Sequence, residues 1–159
     1  MAASLVRLRG GLLMLVLAAL AAAAQPPRVP EKLVEVLARL TDPDDQGRQE
    51  LRVTLRIKEG WHLFAHQPGV EDYLPTTLAI KADPMPRDLK VSYPEGKAVE
   101  DPAGGGTIRV YEGEVVLSAT WLRPGAPKGS EVEVSLRYQA CDAATCLPPK
   151  TMTIKVRGR

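Results

Sequence analysis

The sequence lacks the compact motifs of hydrolytic and nucleotide chemistry. It has no Gly-x-Ser-x-Gly, no histidine–glutamate metalloprotease motif and no phosphate-binding glycine loop. The run Gly104-Gly105-Gly106 lies among turn residues with no lysine after it, and reads as a flexible loop. Cysteine and histidine occur only twice each. There is therefore no second cysteine pair and no histidine–methionine cluster to complete a copper site around His62, His66, Cys141, Cys146 and a methionine. A copper-binding carrier is the weakest of the functional alternatives, and no metal is assigned. Excess charge is missing too. Arg7 and Arg9 account for the whole formal charge of +2, so the chain beyond Ala24 is neutral overall. Nothing in it favours nucleic acid or an anionic membrane.

A long apolar run is also absent. Gly11 to Leu20 is uninterrupted but short of the roughly 20 residues a spanning helix needs. Arg7 and Arg9 precede it, and the small residues Ala21 to Ala24 follow before Gln25-Pro26-Pro27. That order of charged, apolar and small residues is a secretory signal peptide over 1–24, cleaved near Ala24, with retention as an anchor the alternative. No cysteine follows the run to accept a lipid. The expected layout is signal peptide 1–24, linker 25–30 and one domain over 31–159, periplasmic or secreted, with no membrane insertion after cleavage. About 135 residues can bury a real core without needing a disulfide to fold.

What the chain does contain is period-two alternation, the mark of half-buried strands. Leu51, Val53, Leu55 and Ile57 share one face against Arg52, Thr54, Arg56 and Lys58. Val132, Val134, Leu136 and Tyr138 repeat the pattern, as do Met152, Ile154 and Val156. Val115 to Leu122 is more continuously apolar and reads as a central strand buried on both sides. Leu33, Leu37 and Leu40 have helical spacing, but Val34, Val36, Ala38 and Leu40 alternate. The polar turn Asp42 to Gly47 then makes a hairpin with the Leu51 strand the simpler reading. Turn residues at Pro84-Met85-Pro86 and Pro124-Gly125-Ala126-Pro127 separate the runs. Seven or eight short strands in one domain predict an antiparallel β-sandwich. Trp61, Trp121 and Tyr138 are expected in its core, with Glu131, Glu133, Arg52 and Arg56 on solvated strand faces.

Cys141 ends one such strand, and Cys146 stands shortly before the next. The two flank a chain reversal where antiparallel neighbours can bridge, and export places them where disulfides persist. So short a closed loop contributes only about 2 kcal/mol in the chain-entropy model, against about 4.7 for a hundred residues. A bridge at an exposed reversal is also open to exchange. The residues alone leave an inert staple and a redox-active pair both open, since there is no Cys-x-x-Cys spacing.

The segment Tyr138-Gln139-Ala140-Cys141 … Cys146-Leu147-Pro148-Pro149 resembles the cysteine motif of the N-terminal periplasmic domain of the thiol:disulfide interchange protein DsbD. Gly60-Trp61-His62-Leu63-Phe64-Ala65 is similar to that family's glycine–aromatic stretch, and Tyr93-Pro94 and Tyr111-Glu112-Gly113 fall at matching places. The similarity covers roughly residues 31 to 157. It implies an immunoglobulin-like sandwich relaying electrons from a thioredoxin-like donor to periplasmic disulfide-containing acceptors, with no cofactor. Cys146 would exchange with partners and Cys141 would resolve the mixed disulfide. His62 and Phe64 would lie beside the pair, with Asp142 inside the loop and His66 solvated. His62 would raise the thiolate fraction of Cys146, while Asp142 would either disfavour a thiolate at Cys141 or simply solvate the turn. The chain stops at Arg159, so the donor is expected to be a separate protein, and a relay that needs partners at both ends is an enzyme only in a strained sense. The family shields its cysteines with a cap loop bearing an aromatic residue. The counterpart here, Asp101 to Thr107, has none, so shielding is expected to be looser or supplied from elsewhere. The rival reading is an immunoglobulin-like protein-binding module with a purely structural disulfide.

Overall fold

Alternating residues fold as their pattern dictates. In the computed structural model, which describes residues 32–101 and 104–159, β1 (Val34–Leu40) and β2 (Arg48–Ile57) form an antiparallel hairpin running from Val34 opposite Ile57 to Leu40 opposite Leu51. The helical spacing of Leu33, Leu37 and Leu40 loses to this pairing: Leu37 faces solvent while Val34 and Leu40 are buried. The polar turn closes through Asp44, whose carboxylate accepts the amides of Gln46 and Arg48. The signal peptide and linker expected over 1–30 lie outside the described residues.

Nine further strands follow: β3 (His62–Phe64), β4 (Thr77–Lys81), β5 (Arg87–Ser92), β6 (Lys97–Glu100), β7 (Thr107–Tyr111), β8 (Glu114–Leu122), β9 (Glu131–Tyr138), β10 (Ala140–Cys141) and β11 (Lys150–Arg157). That exceeds the seven or eight expected, because β3, β6 and β10 are too short to display a period. All strand pairs are antiparallel, in three sheets of order β1-β2-β8-β5, β10-β3-β7-β6 and β11-β9-β4. The second and third sheets are joined by the chain itself, which runs from β9 through Gln139 into β10. One hydrophobic core draws on all three sheets, including Leu51, Val53 and Leu117 from the first, Leu63 and Tyr111 from the second, and Leu78, Val134 and Leu136 from the third. This is an all-β, immunoglobulin-like sandwich.

The β8 strand is central, between β2 and β5, but it is not buried on both sides. Leu117, Ala119 and Trp121 point inward while Val116 is 43% exposed, so its extra apolar residues sit on the open face of the sheet. Trp121 is buried and donates from Nε1 to Gln49 Oε1, whereas Trp61 is only partly buried at the edge of the core. Tyr138 is buried as expected, its hydroxyl 3.5 Å from Met152 Sδ. Arg52 and Arg56 lie on the outer face of β2, where Arg56 pairs with Glu35 of β1 and Glu114 of β8 directly across the ladder. Glu131 is part-exposed and pairs with Lys155 and Arg157 of β11.

Candidate functional site

The two-residue strand β10 is the point from which the site is built. It pairs with β3, placing Ala140 opposite Leu63 and Cys141 opposite His62. The chain then reverses. Asp142 N–H donates to Thr145 O and Leu147 N–H to Ala140 O, each at 2.9 Å, and the Gln139 amide donates to Leu147 O at 3.0 Å. This reversal brings Cys141 and Cys146 to a Cα separation of 4.1 Å, and their sulfurs are bonded. The two ends of the disulfide differ sharply. Cys141 is 1% exposed, whereas Cys146 lies in an exposed run with Ala143, Ala144 and Thr145.

The Asp142 carboxylate folds back onto the loop, Oδ1 accepting the amides of Ala144 and Thr145 at 2.8 Å each. Those two bonds hold its carboxyl below the ordinary range, because hydrogen bonds to the charged form favour it. The side chain therefore organises the turn, which is what its position in the sequence left undecided.

His62 is half-buried opposite Cys141, and its ring meets Phe64 edge-on at 6.1 Å. Burial pushes the imidazole below its ordinary value near 6.5, against the pull of Glu112 and Asp142. That shift disfavours the imidazolium through which His62 would raise the thiolate fraction of Cys146. Phe64 is buried in a small cluster with Cys141, Ile108 and Val110, flanked by Val70, Tyr73 and Val99. The backbone of Phe64 is tied down as well, its carbonyl accepting the Thr76 hydroxyl at 2.6 Å.

One residue of this cluster escaped the sequence reading. Tyr73, from the β3–β4 connection, lies flat on Phe64 with ring centroids 4.3 Å apart and planes at 8°. Its hydroxyl donates to the carboxylate of Asp101, 2.8 and 2.9 Å from the two oxygens. The loop that begins at Asp101 brings no aromatic of its own, but its first residue holds one that arrives from another loop. The only advance signal was a lone tyrosine among loop residues, which does not announce a partner in sequence.

His66 is part-buried and held by contacts, not freely solvated. It stacks on Tyr93 at 3.7 Å, its Nδ1 lies 3.2 Å from Thr76 O, and its amide donates to the Tyr111 hydroxyl. These contacts tie it to Tyr93 and the β3–β4 connection, not to His62 and the cysteines. Among the described residues no three metal-ligating His, Cys, Asp or Glu side chains converge.

A buried cysteine bonded to an exposed one, on a strand-paired reversal of a β-sandwich, is the site of a thiol–disulfide protein or of a staple. Residues 31–158 match the model of the N-terminal domain of the thiol:disulfide interchange protein DsbD, and the chain belongs to that family. No curated protein matches it. Among solved structures, the N-terminal periplasmic domain of ScsB from Proteus mirabilis is similar at TM-score 0.61 and 14% identity. That match covers 84% of this chain and 48% of the other, so the chain spans about half of that domain. The reduced N-terminal domain of DsbD from Neisseria meningitidis aligns at TM-score 0.49 and 21% identity, over 83% of this chain and 90% of that one.

Proposed function

We propose that this chain is a periplasmic thiol–disulfide exchange domain that relays electron pairs through Cys141 and Cys146, exported by a signal peptide over residues 1–24. The observation that carries the proposal is the asymmetry of the pair in a chain of this family: Cys146 is open to a partner and Cys141 is sheltered beside Phe64.

The chemistry follows from that asymmetry. A thiolate of a reduced, thioredoxin-like donor attacks Sγ of Cys146, forming a mixed disulfide as the Cys141 sulfur leaves and takes up a proton. The donor's second thiolate then attacks the donor sulfur of that bond. Cys146 is released, the donor is oxidised, and two electrons now reside on the pair. In the second half, the Cys146 thiolate attacks an acceptor disulfide. Cys141 loses its proton and displaces the acceptor sulfur's bond to Cys146, so the acceptor leaves as a dithiol and Cys141–Cys146 reforms. Each step needs an in-line approach by a thiolate, and the exposure of Cys146 beside the buried Cys141 supports Cys146 as the sulfur that meets partners. No cofactor takes part.

The reduction potential tests the proposal. Equilibration against a glutathione buffer should give a value between about −270 and −120 mV, the range of exchanging pairs. A value below about −300 mV would assign the bond to a staple and the domain to protein binding.

A further inference from the structure

Two grooves flank the cysteine reversal, and their charges are opposite. On the His62 side, a groove of about 590 Å³ runs between the β2–β3 turn, β6 and the start of the cysteine loop. Trp61, Val99 and Ile108 supply apolar surface, and Glu59, Glu100, Glu112 and Asp142 also line it. Lys58 is the only basic residue among its lining. Glu112 is compensated by Lys97 at 2.8 Å, but Glu59 and Glu100 form no salt bridge among the described residues. Asp142 is held ionised by the turn amides. On the other side, a groove of about 540 Å³ includes Leu33, Leu147 and Met152, and its charged residues are Lys32, Lys150 and Glu35.

Resting on the exchange reading above, we infer that the acidic groove is the docking surface for the redox partner. The partner fitted to it presents its reactive cysteine beside an apolar side chain ringed by lysine or arginine. The apolar contact buries Trp61 and Val99, and the basic ring answers Glu59, Glu100 and Asp142. Because the opposite groove has the reverse sign, the field across Cys146 also orients the partner. Charge of this kind acts mainly on encounter and register.

The test uses the reduced protein and three mixed disulfides of thionitrobenzoate: with a lysine-rich cysteine peptide, with a glutamate-rich one of equal length, and with uncharged 2-mercaptoethanol. Cys146 thiolate attacks the sulfur of the peptide or of mercaptoethanol, and thionitrobenzoate leaves as a coloured thiolate. Cys141 thiolate then attacks Cys146 Sγ, and the probe leaves as a thiol. The pair is oxidised and the probe is reduced by two electrons. At low ionic strength the basic peptide should react about tenfold faster than the acidic one, at the lower end of electrostatic steering. The preference should vanish near 1 M salt, where the screening length is about 3 Å. The double variant Glu59→Gln/Glu100→Gln should lose most of it while keeping the wild-type rate with the uncharged probe. Val99→Lys, confirmed as folded by circular dichroism, should abolish it. Equal rates for both peptides, or a preference untouched by the double variant, would overturn the groove assignment alone. Inertness toward the uncharged probe would instead sink the exchange reading, and this inference with it.

Discussion

Tyr73 and Phe64 stack face to face, and the tyrosine is anchored from its far end by Asp101. Phe64 packs in the same cluster as Cys141, so this aromatic pair helps wall off the buried end of the disulfide. In the reduced protein, iodoacetamide should label Cys146 much faster than Cys141. Tyr73→Ala should raise Cys141 labelling several-fold, while Tyr73→Phe, which keeps the stack and loses the hydrogen bond, should raise it far less. Labelling of Cys141 that is unchanged in Tyr73→Ala would show that the wall lies elsewhere.

The disulfide itself should matter little to folding. Reducing the bond, which leaves both side chains in place, should cost about 2 kcal/mol, the chain-entropy value for so short a loop, and leave a cooperatively folded sandwich. Urea unfolding measures this. Failure to fold would mark the bond as structural.

The core should matter more. Leu63 is fully buried on β3, directly opposite Ala140. Leu63→Ala should cost about 2–5 kcal/mol, as such truncations do in packed interiors. It should also loosen β10 and raise exchange at the Cys141 amide. Leu37→Ala, on the exposed face of β1, should stay within about 0.5 kcal/mol. Equal losses at the two sites would contradict the placement of the core.

His62 gives a pH dependence with a definite sign. Its folded-state value is depressed by burial, so between that value and about 6.5 the unfolded chain binds more protons than the folded one. Stability from this residue is fully present above about 6.5 and falls as pH drops through the window. The NMR titration of the His62 ring proton should have its midpoint below the ordinary value. A midpoint above it would mean that Glu112 and Asp142 outweigh burial.

Strand pairs of full length were legible because alternation over seven or more residues fixes which face is buried. The β1–β2 and β9–β11 ladders follow their patterns residue by residue. Alternation fails for β3 and β10, which are too short to have a period and are held by their neighbours. It also fails on β8, where Val116 is apolar but exposed: composition reports hydrophobicity, not which face has a layer to cover it. Arg123 illustrates the limit from the other direction. It is 2% exposed, and its guanidinium donates to Gln49, Ser130 and the carbonyl of Asp83, acceptors from three separated segments. Only the folded chain assembles such a set. The cysteine pair was readable because its two members are close in sequence. Tyr73 and Asp101 were not, because what makes them matter is a contact between distant loops.

Everything functional depends on one sulfur being the point of attack. Trapping in periplasmic extract asks this directly, with mass spectrometry naming what is caught. Cys141→Ser should accumulate mixed disulfides through Cys146, because the thiol that resolves them is gone, and Cys146→Ser should accumulate almost none. Adducts on Cys146→Ser with none on Cys141→Ser would reverse the roles and contradict the account.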